Sequence, residues 1–180
     1  PEVRDLLNAL AAISDPTDDV ALFGLLRSPA VGFSDPELHR IRMAGGFAPG
    51  QLWAALRQDA SPRAQRATAL IESLHTEAGR VTVAELLKHF LDKTHYRAGL
   101  MTIGEGRAAR NVAKLLDDAV RSGLVGVGEF LEYVANLRDM GSREGEARTD
   151  SEGAVQIMSV HQAKGLEYPV VVVGDAGYAG

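Results

Sequence analysis

The sequence predicts a mainly α-helical chain that ends in a small α/β segment, and three observations support this fold class. Apolar residues recur at helical spacing through roughly the first 140 residues. A polar stretch at 141–153 then interrupts the pattern. Beyond it, two apolar runs at 155–160 and 170–173 are typical of β-strands, and the second is a continuous valine run of the kind found inside parallel sheets.

The composition is that of an ordinary globular protein. Hydrophobic residues make up 46% of the chain and charged residues 24%, which suits one domain or two small ones. No apolar run is long enough to span a membrane and no signal pattern is present, so a cytoplasmic location without a membrane partner is expected. Cysteine is absent, which excludes disulfides and thiolate metal sites. The net charge of −5 argues against a large duplex-DNA surface but leaves room for a local contact.

Specific residues mark the helix boundaries. The first helix should end before Pro16, because the residue preceding a proline is disfavoured in the helical conformation. Ser34 with Glu37, and Thr82 with Glu85, form two capping boxes that predict helix starts. The same reasoning predicts further helices at about 18–27, from Ser34 to Gly45, at about 49–58, from Ser61 to before Gly79, from Thr82, between a loop at 96–104 and Gly123, and around 130–137.

The segment 155–175 reads VQIMSVHQAKGLEYPVVVVGD and contains the residues that suggest chemistry. A strand that runs into Ser159 and His161 would place a hydroxyl and an imidazole at the carboxyl end of a parallel sheet. Open α/β folds bind their ligands at that edge. Both side chains are therefore candidates for ligand contact.

The residues that follow suit a phosphate and a sugar. Lys164 offers a cation, and Gly165 offers a backbone without a side chain, which permits close approach to phosphate oxygens. Glu167 can accept a hydrogen bond from a ribose hydroxyl. Taken singly, these residues fit equally well as surface residues of an ordinary crossover, with Glu167 capping the turn. Their ordered combination favours ligand binding.

This segment resembles motif V of the UvrD/Rep-like helicases of superfamily 1, and more closely their AddA and RecB branch. In that branch a strand ends in Thr or Ser, followed by an apolar residue, His, and x-Ala-Lys-Gly-Leu-Glu-aromatic. The resemblance implies that Ser159 and His161 face single-stranded DNA and that Lys164, Gly165 and Glu167 face ATP. Ser159 departs from the usual threonine, which keeps the hydroxyl with a freer rotamer.

A second, less specific resemblance lies at the N-terminal end and implies a domain organisation. Residues 2–7, 15–22 and 26–29 are similar to the segment that precedes the large insertion in the second motor domain of these helicases. The implied organisation is as follows: residues 1–32 belong to the RecA-like motor domain 2A, residues 33–141 form a helical 2B-type insertion, residues 142–153 are a flexible linker, and residues 154–180 return to 2A.

The resemblance implies part of an ATP-dependent helicase or translocase that moves 3′ to 5′ on DNA and acts in repair or recombination. The implied cofactors are ATP and Mg²⁺, and the implied partners are single-stranded and duplex DNA, the remaining motor domains, and a nuclease or second subunit. The chain has no Gly-x-x-x-x-Gly-Lys-Ser/Thr phosphate loop, so alone it should neither bind nucleotide nor hydrolyse it. The alternative is that its helical region is a protein-interaction or autoinhibitory module.

The C-terminal strands are expected to need a larger sheet. Two neighbouring strands leave their faces and edges uncovered, so an isolated pair is not a stable domain. We therefore expect the two strands to belong to a sheet that lies outside this chain, or to seek a substitute partner such as another copy of the chain.

Three basic residues form a further candidate DNA contact. Arg107, Arg110 and Lys114 share a helical face at spacings of three and four, which suits contact with phosphates. An ordinary solvated face, with Asp117 and Asp118 nearby, is the favoured interpretation because the chain is acidic overall.

Two other features are given structural interpretations. His89 and His95 are six residues apart and lie on different sides of a helix, so no metal site is expected there. Trp53 is interpreted as a core residue rather than a base-stacking platform.

Overall fold

The computed structural model describes residues 2–46, 48–96 and 106–143 and, near the C-terminus, residues 155, 158–159, 161, 163–165 and 167–173. Residues up to Arg143 form one compact unit, and residues from Glu144 onward form a second. The described part of the first unit contains these helices: α1 Glu2–Ser14, α2 Asp19–Arg27, α3 Asp35–Gly45, α4 Gln51–Gln58, α5 Pro62–His75, α6 Val83–Thr94, α7 Gly106–Ser122 and α8 Val127–Arg143. The prediction of a mainly α-helical chain is confirmed.

The helix starts follow the capping residues. The Asp18 carboxylate accepts hydrogen bonds from the backbone N–H groups of Val20 and Ala21, both at 3.0 Å. At the start of α6, the Glu85 N–H donates to the Thr82 hydroxyl at 3.2 Å while the Thr82 N–H donates to the Glu85 carboxylate at 3.0 Å. Both arrangements satisfy backbone donors that have no partner inside the helix. The predicted capping box of α6 is therefore confirmed.

The last helix is longer than predicted. It continues to Arg143, so residues 142 and 143, assigned from the sequence to a linker, are helical. No proline interrupts residues 138–143, and the single Gly141 costs only about 1 kcal/mol relative to alanine. Polar composition alone does not end a helix. The remaining residues of the expected linker, 144–153, lie outside the described residues.

Helix α1 lies at the centre of the first unit. It packs against α2, α5, α7 and α8, and its Leu6, Leu10 and Ile13 are fully buried. Residues 1–32 therefore share one core with the later helices. No gap in the packing marks the expected boundary at residue 32, and the assignment of residues 1–32 to a motor domain stays a prediction.

One carboxylate joins three helices. Asp19 at the start of α2 accepts a hydrogen bond from the Arg42 guanidinium of α3 at 2.8 Å. It also accepts from the backbone N–H groups of Gly50 and Leu52, at 3.2 and 3.3 Å. Since those two N–H groups begin α4, Asp19 caps that short helix from another part of the chain. This contact fixes the position of α4 and its Trp53.

The expected strands are absent from the described residues of the C-terminal unit. Residues 170–173 are assigned to no strand and are 65–89% exposed. Val155, Met158 and Ser159 are not in a strand either. A strand is defined by hydrogen bonds to a neighbouring strand, and the described part of this unit offers none. No strand is assigned at 170–173, and the expectation that these residues pair with a sheet outside this chain stays a prediction.

None of the helices in the described part of the chain is long and apolar enough to cross a membrane.

Candidate functional site

A hydrogen-bonded turn holds the predicted ligand-binding loop. The Ala163 N–H donates to the Ser159 carbonyl at 3.0 Å, and the Lys164 N–H donates to the His161 carbonyl at 3.4 Å. The turn therefore brings three of the predicted site residues, Ser159, His161 and Lys164, into one short stretch of backbone.

Gly165 follows this turn with a φ of +83°, a conformation that glycine adopts far more readily than other residues. A Cβ atom placed on Gly165 would meet nothing within 4 Å. Glycine is therefore favoured at position 165 by the left-handed backbone conformation, and not by a lack of space for a side chain. It places a left-handed residue directly after the Lys164 cation.

The candidate side chains are open to solvent. Ser159, His161, Lys164 and Glu167 are all exposed, so each can reach a large ligand such as a nucleic acid strand.

A contact that sequence reasoning missed joins the two ends of the loop. The Tyr168 hydroxyl donates to the Met158 sulfur at 3.4 Å, a weak hydrogen bond. Two features of the sequence could have indicated this contact. An aromatic residue, Tyr168, directly follows Glu167, and an apolar residue, Met158, directly precedes Ser159. The five predicted residues lie between these two contact residues.

The three basic residues of α7 form an exposed face. Arg107, Arg110 and Lys114 are all exposed, whereas the opposite side of the helix is buried through Ala108, Val112, Leu115 and Ala119. Among the described residues, none of the three cations is in an ion pair. Asp117, which was expected near them, pairs instead with Arg121 at 2.8 Å. A local cationic surface is thus present on an acidic chain.

A cleft of about 370 Å³ lies beside the ends of α1, α4 and α5, and no pattern in the sequence predicts it. Its walls contain aromatic, cationic and acidic side chains. They come from Ser14, Asp15, Pro16, Thr17, Trp53, Arg57, Glu72 and His75.

Two contacts organise the aromatic side of this cleft. The Arg57 guanidinium lies 5.9 Å from the centre of the Trp53 ring and pairs with the Glu72 carboxylate at 3.2 Å. Trp53 itself is half-buried and packs against the core with part of its ring. The core interpretation of Trp53 is therefore correct for one part of the side chain, while another part lines the cleft.

The orientation of His75 follows from its partner. Its Nδ1 lies 2.7 Å from the Ile13 carbonyl oxygen. Because a carbonyl oxygen can only accept, Nδ1 carries the proton and Nε2 of the neutral ring is an acceptor. Asp15 also lines the cleft, and hydrogen bonds from the hydroxyl and the N–H of Thr17 hold the pKa of its carboxyl below the usual value.

The histidines of α6 have other partners. His89 Nδ1 lies 2.5 Å from a Glu77 carboxylate oxygen, and His95 caps α6 in the left-handed conformation at φ 51°. Within the described ranges, no group of three or more metal-ligating side chains comes together.

Residues 127–177 match the family described as the UvrD-like helicase C-terminal domain. Together with the relatives below, this match identifies the chain as a segment of a UvrD-like helicase of superfamily 1. Each of the relatives is named as the A subunit of an ATP-dependent helicase/nuclease. Over 98% of its length the chain is 33% identical to the one from Exiguobacterium sibiricum, 34% to the one from Pelotomaculum thermopropionicum and 34% to the one from Heliobacterium modesticaldum. It spans only 14–16% of those relatives.

Proposed function

We propose that this chain is part of an ATP-driven DNA helicase of the helicase/nuclease type, in which the loop at 158–168 couples nucleotide state to grip on one DNA strand. The observation that carries the proposal is the single hydrogen-bonded turn that holds Ser159, His161 and Lys164 next to the left-handed Gly165. One turn that contacts two ligands can transmit a change at either one.

The first half of the loop is assigned to DNA. The exposed Ser159 hydroxyl and His161 imidazole can hydrogen-bond to phosphate and sugar oxygens, which carry no sequence information. Such contacts suit a motor that must move along any sequence. Movement in the 3′ to 5′ direction is part of the proposal and rests on the resemblance of the loop to motif V.

The second half is assigned to the nucleotide. Lys164 would neutralise phosphate charge, Gly165 would allow close approach of the backbone, and Glu167 would accept from the ribose. Mg²⁺ and ATP supply the phosphoryl-transfer chemistry when bound to the complete motor. These three residues are a minority of the contacts that a nucleotide needs, so the remaining motor domains are required partners.

The basic face of α7 would add a contact to the DNA backbone. Arg107, Arg110 and Lys114 are exposed along one side of a helix, and each phosphate contact releases condensed counterions. The acidic net charge of −5 limits this contribution to a local one.

The test uses the full-length parent enzyme with two single substitutions. His161→Ala should weaken single-strand binding by about 1 kcal/mol, the value of one lost hydrogen bond, and leave nucleotide affinity unchanged. Glu167→Ala should weaken nucleotide binding by about 1–3 kcal/mol if it strands a buried hydroxyl, and leave DNA affinity without nucleotide unchanged. Both should lower DNA-stimulated ATP hydrolysis.

Two matched variants control for loss of a similar side chain elsewhere. His39→Ala and Glu132→Ala remove an exposed histidine and an exposed glutamate from α3 and α8, and neither should change either affinity. The measurement is a pair of equilibrium titrations for each variant, DNA without nucleotide and nucleotide without DNA. Loss of nucleotide affinity in His161→Ala with DNA affinity intact would reverse the assignment of the two halves of the loop.

The second candidate, a protein-interaction or autoinhibitory module, is favoured by one observation. Val120 near the end of α7 and Val125 just after that helix are 54% and 40% exposed, so this part of the 33–141 region presents apolar side chains to solvent. In the parent enzyme, replacing both with serine should raise ATP hydrolysis if this face is autoinhibitory. Unchanged ATP hydrolysis and unchanged unwinding would remove this candidate.

A further inference from the structure

We propose that the cleft beside Trp53 binds an unstacked nucleobase of single-stranded DNA. The inference rests on the proposed function, because a DNA strand is the source of the base. It concerns a site in the first unit, far in sequence from the loop at 158–168, and it assigns the cleft a role in holding the strand by its bases rather than by its phosphates.

The shape and the aromatic wall favour a planar ligand. The volume of about 370 Å³ falls at the lower end of the range for clefts that hold small molecules, roughly 300–1,000 Å³. Trp53 lies in the wall with the Arg57 guanidinium over its ring, 5.9 Å from the ring centre, so a base that stacks on this face takes the place of the guanidinium, which then turns outward. An indole with a neighbouring arginine is a surface on which bases stack whatever their sequence.

The polar wall favours a base over a phosphate. Glu72 and Asp15 contribute carboxylates to the cleft, which would repel a phosphate but can accept hydrogen bonds from the exocyclic amino groups of adenine, cytosine or guanine. His75 adds an acceptor at Nε2, since its Nδ1–H is held by the Ile13 carbonyl. The Arg57 side chain, 58% exposed, is then the group that can reach the phosphate outside.

The cleft is held open by structure that does not depend on the ligand. Asp19 fixes the start of α4, and Trp53 and Arg57, four residues apart, share one face of that helix. On the other side, the turn of Asp15 and Thr17 is closed by a 2.9 Å hydrogen bond from the Thr17 N–H. A preformed cleft avoids part of the ordering cost of binding.

The experiment uses the fluorescence of Trp53, the only tryptophan in the 180-residue chain. A short single-stranded oligodeoxynucleotide of mixed sequence should quench it saturably, whereas the same sequence as a duplex should not, because its bases are stacked and paired. The affinity should depend only weakly on salt, since few phosphates are neutralised. Deoxyadenosine monophosphate is the third probe, and equal affinity for it would assign the cleft to a free nucleotide and overturn the DNA assignment.

Variants then test the cleft with a labelled strand and fluorescence anisotropy. Trp53→Ala should weaken binding about tenfold, as expected for one lost base–aromatic stack, and Trp53→Phe should recover most of the affinity by restoring an aromatic face. Arg57→Ala should weaken binding, whereas Arg66→Ala, which removes an exposed arginine from α5 outside the cleft, should not. Urea unfolding of each variant checks that the fold is kept.

The proposal is overturned if Trp53→Phe and Trp53→Ala, both folded, bind the strand as tightly as the unaltered chain. A steep salt dependence that disappears when Arg107, Arg110 and Lys114 are replaced would also overturn it, because binding would then belong to the basic face of α7. Failure here would leave the proposed function intact, since that is tested by His161→Ala and Glu167→Ala in the parent enzyme.

Discussion

Replacing Asp19 with alanine should destabilise the first unit by about 3 kcal/mol. The carboxylate is 20% exposed and its partner Arg42 is 22% exposed, so the ion pair is largely shielded from water. Losing the cap on the two N–H groups that begin α4 costs about 1 kcal/mol. Losing a charge-assisted hydrogen bond to Arg42 costs about 2 kcal/mol more. Asp19→Asn keeps an acceptor oxygen but not the charge, so its stability should fall between those of the unaltered chain and Asp19→Ala.

Urea unfolding of the 180-residue chain, followed by Trp53 fluorescence, measures this loss because Trp53 lies on the helix that Asp19 caps. The matched control is Asp35→Ala, which removes the same type of side chain from an exposed ion pair with Arg27, where the side chains are 66% and 62% exposed. Exposed pairs contribute at most about 1 kcal/mol. If the free energies of unfolding of the two alanine variants agree within about 1 kcal/mol, the description of Asp19 as the clamp of three helices is refuted.

Three further predictions concern pH, backbone conformation and nucleotide. Hydrogen bonds from Arg40 and Ser61 lower the pKa of Asp59 from 3.8 to about 2. Since the pKa is lower in the folded state, the ionised carboxylate adds at most about 2 kcal/mol to the free energy of unfolding above pH 3.8, and this contribution is lost as the pH falls through 2. Asp59→Asn should therefore be less stable than the unaltered chain in urea at pH 7, and most of this difference should be gone at pH 2. A constant difference across that range would contradict the assignment. In the parent enzyme, Gly165→Ala should lower DNA-stimulated ATP hydrolysis, because alanine at φ +83° costs about 1 kcal/mol or more. The control is Gly128→Ala, which should have no such effect because an added Cβ there meets nothing within 4 Å and φ is not positive. Equal rates of ATP hydrolysis in both variants would show that the turn does not depend on the left-handed residue. The isolated chain should show no ATPase activity and no saturable ATP binding in a calorimetric titration, and micromolar affinity would contradict the view that its nucleotide contacts are a minority.

The helices could be predicted because their boundaries depend on local chemistry. Pro16, Asp18 and the pair Thr82 with Glu85 act on backbone within a few residues, so the same contacts exist in the folded chain. The far end of α8 could not be predicted, since polar residues without a proline are compatible with either a helix or a linker. The valine run at 170–173 is not assigned as a strand for a different reason: a strand is defined by hydrogen bonds to a neighbouring strand, and the described residues of the C-terminal unit contain none.

The candidate site also has one part that the sequence predicts, the loop, and one part that it does not, the cleft. The order of residues from Ser159 to Glu167 predicted the loop, and the turn that holds them is local. The cleft could not be predicted, because Asp15, Trp53 and His75 are distant in sequence and meet only through the packing of α1, α4 and α5. Nothing in the spacing of these residues indicates that they share a wall.

The central position of α1 also restricts how the protein can move. Leu6, Leu10 and Ile13 are fully buried in the core that α1 shares with α2, α5, α7 and α8, and exposing each would cost about 1.5–3 kcal/mol. A rotation that separated residues 1–32 from the other helices would therefore cost several kcal/mol before any strain in the backbone. Within the first unit, a movement that leaves the core around α1 intact is therefore favoured over one that separates residues 1–32 from α3 to α8.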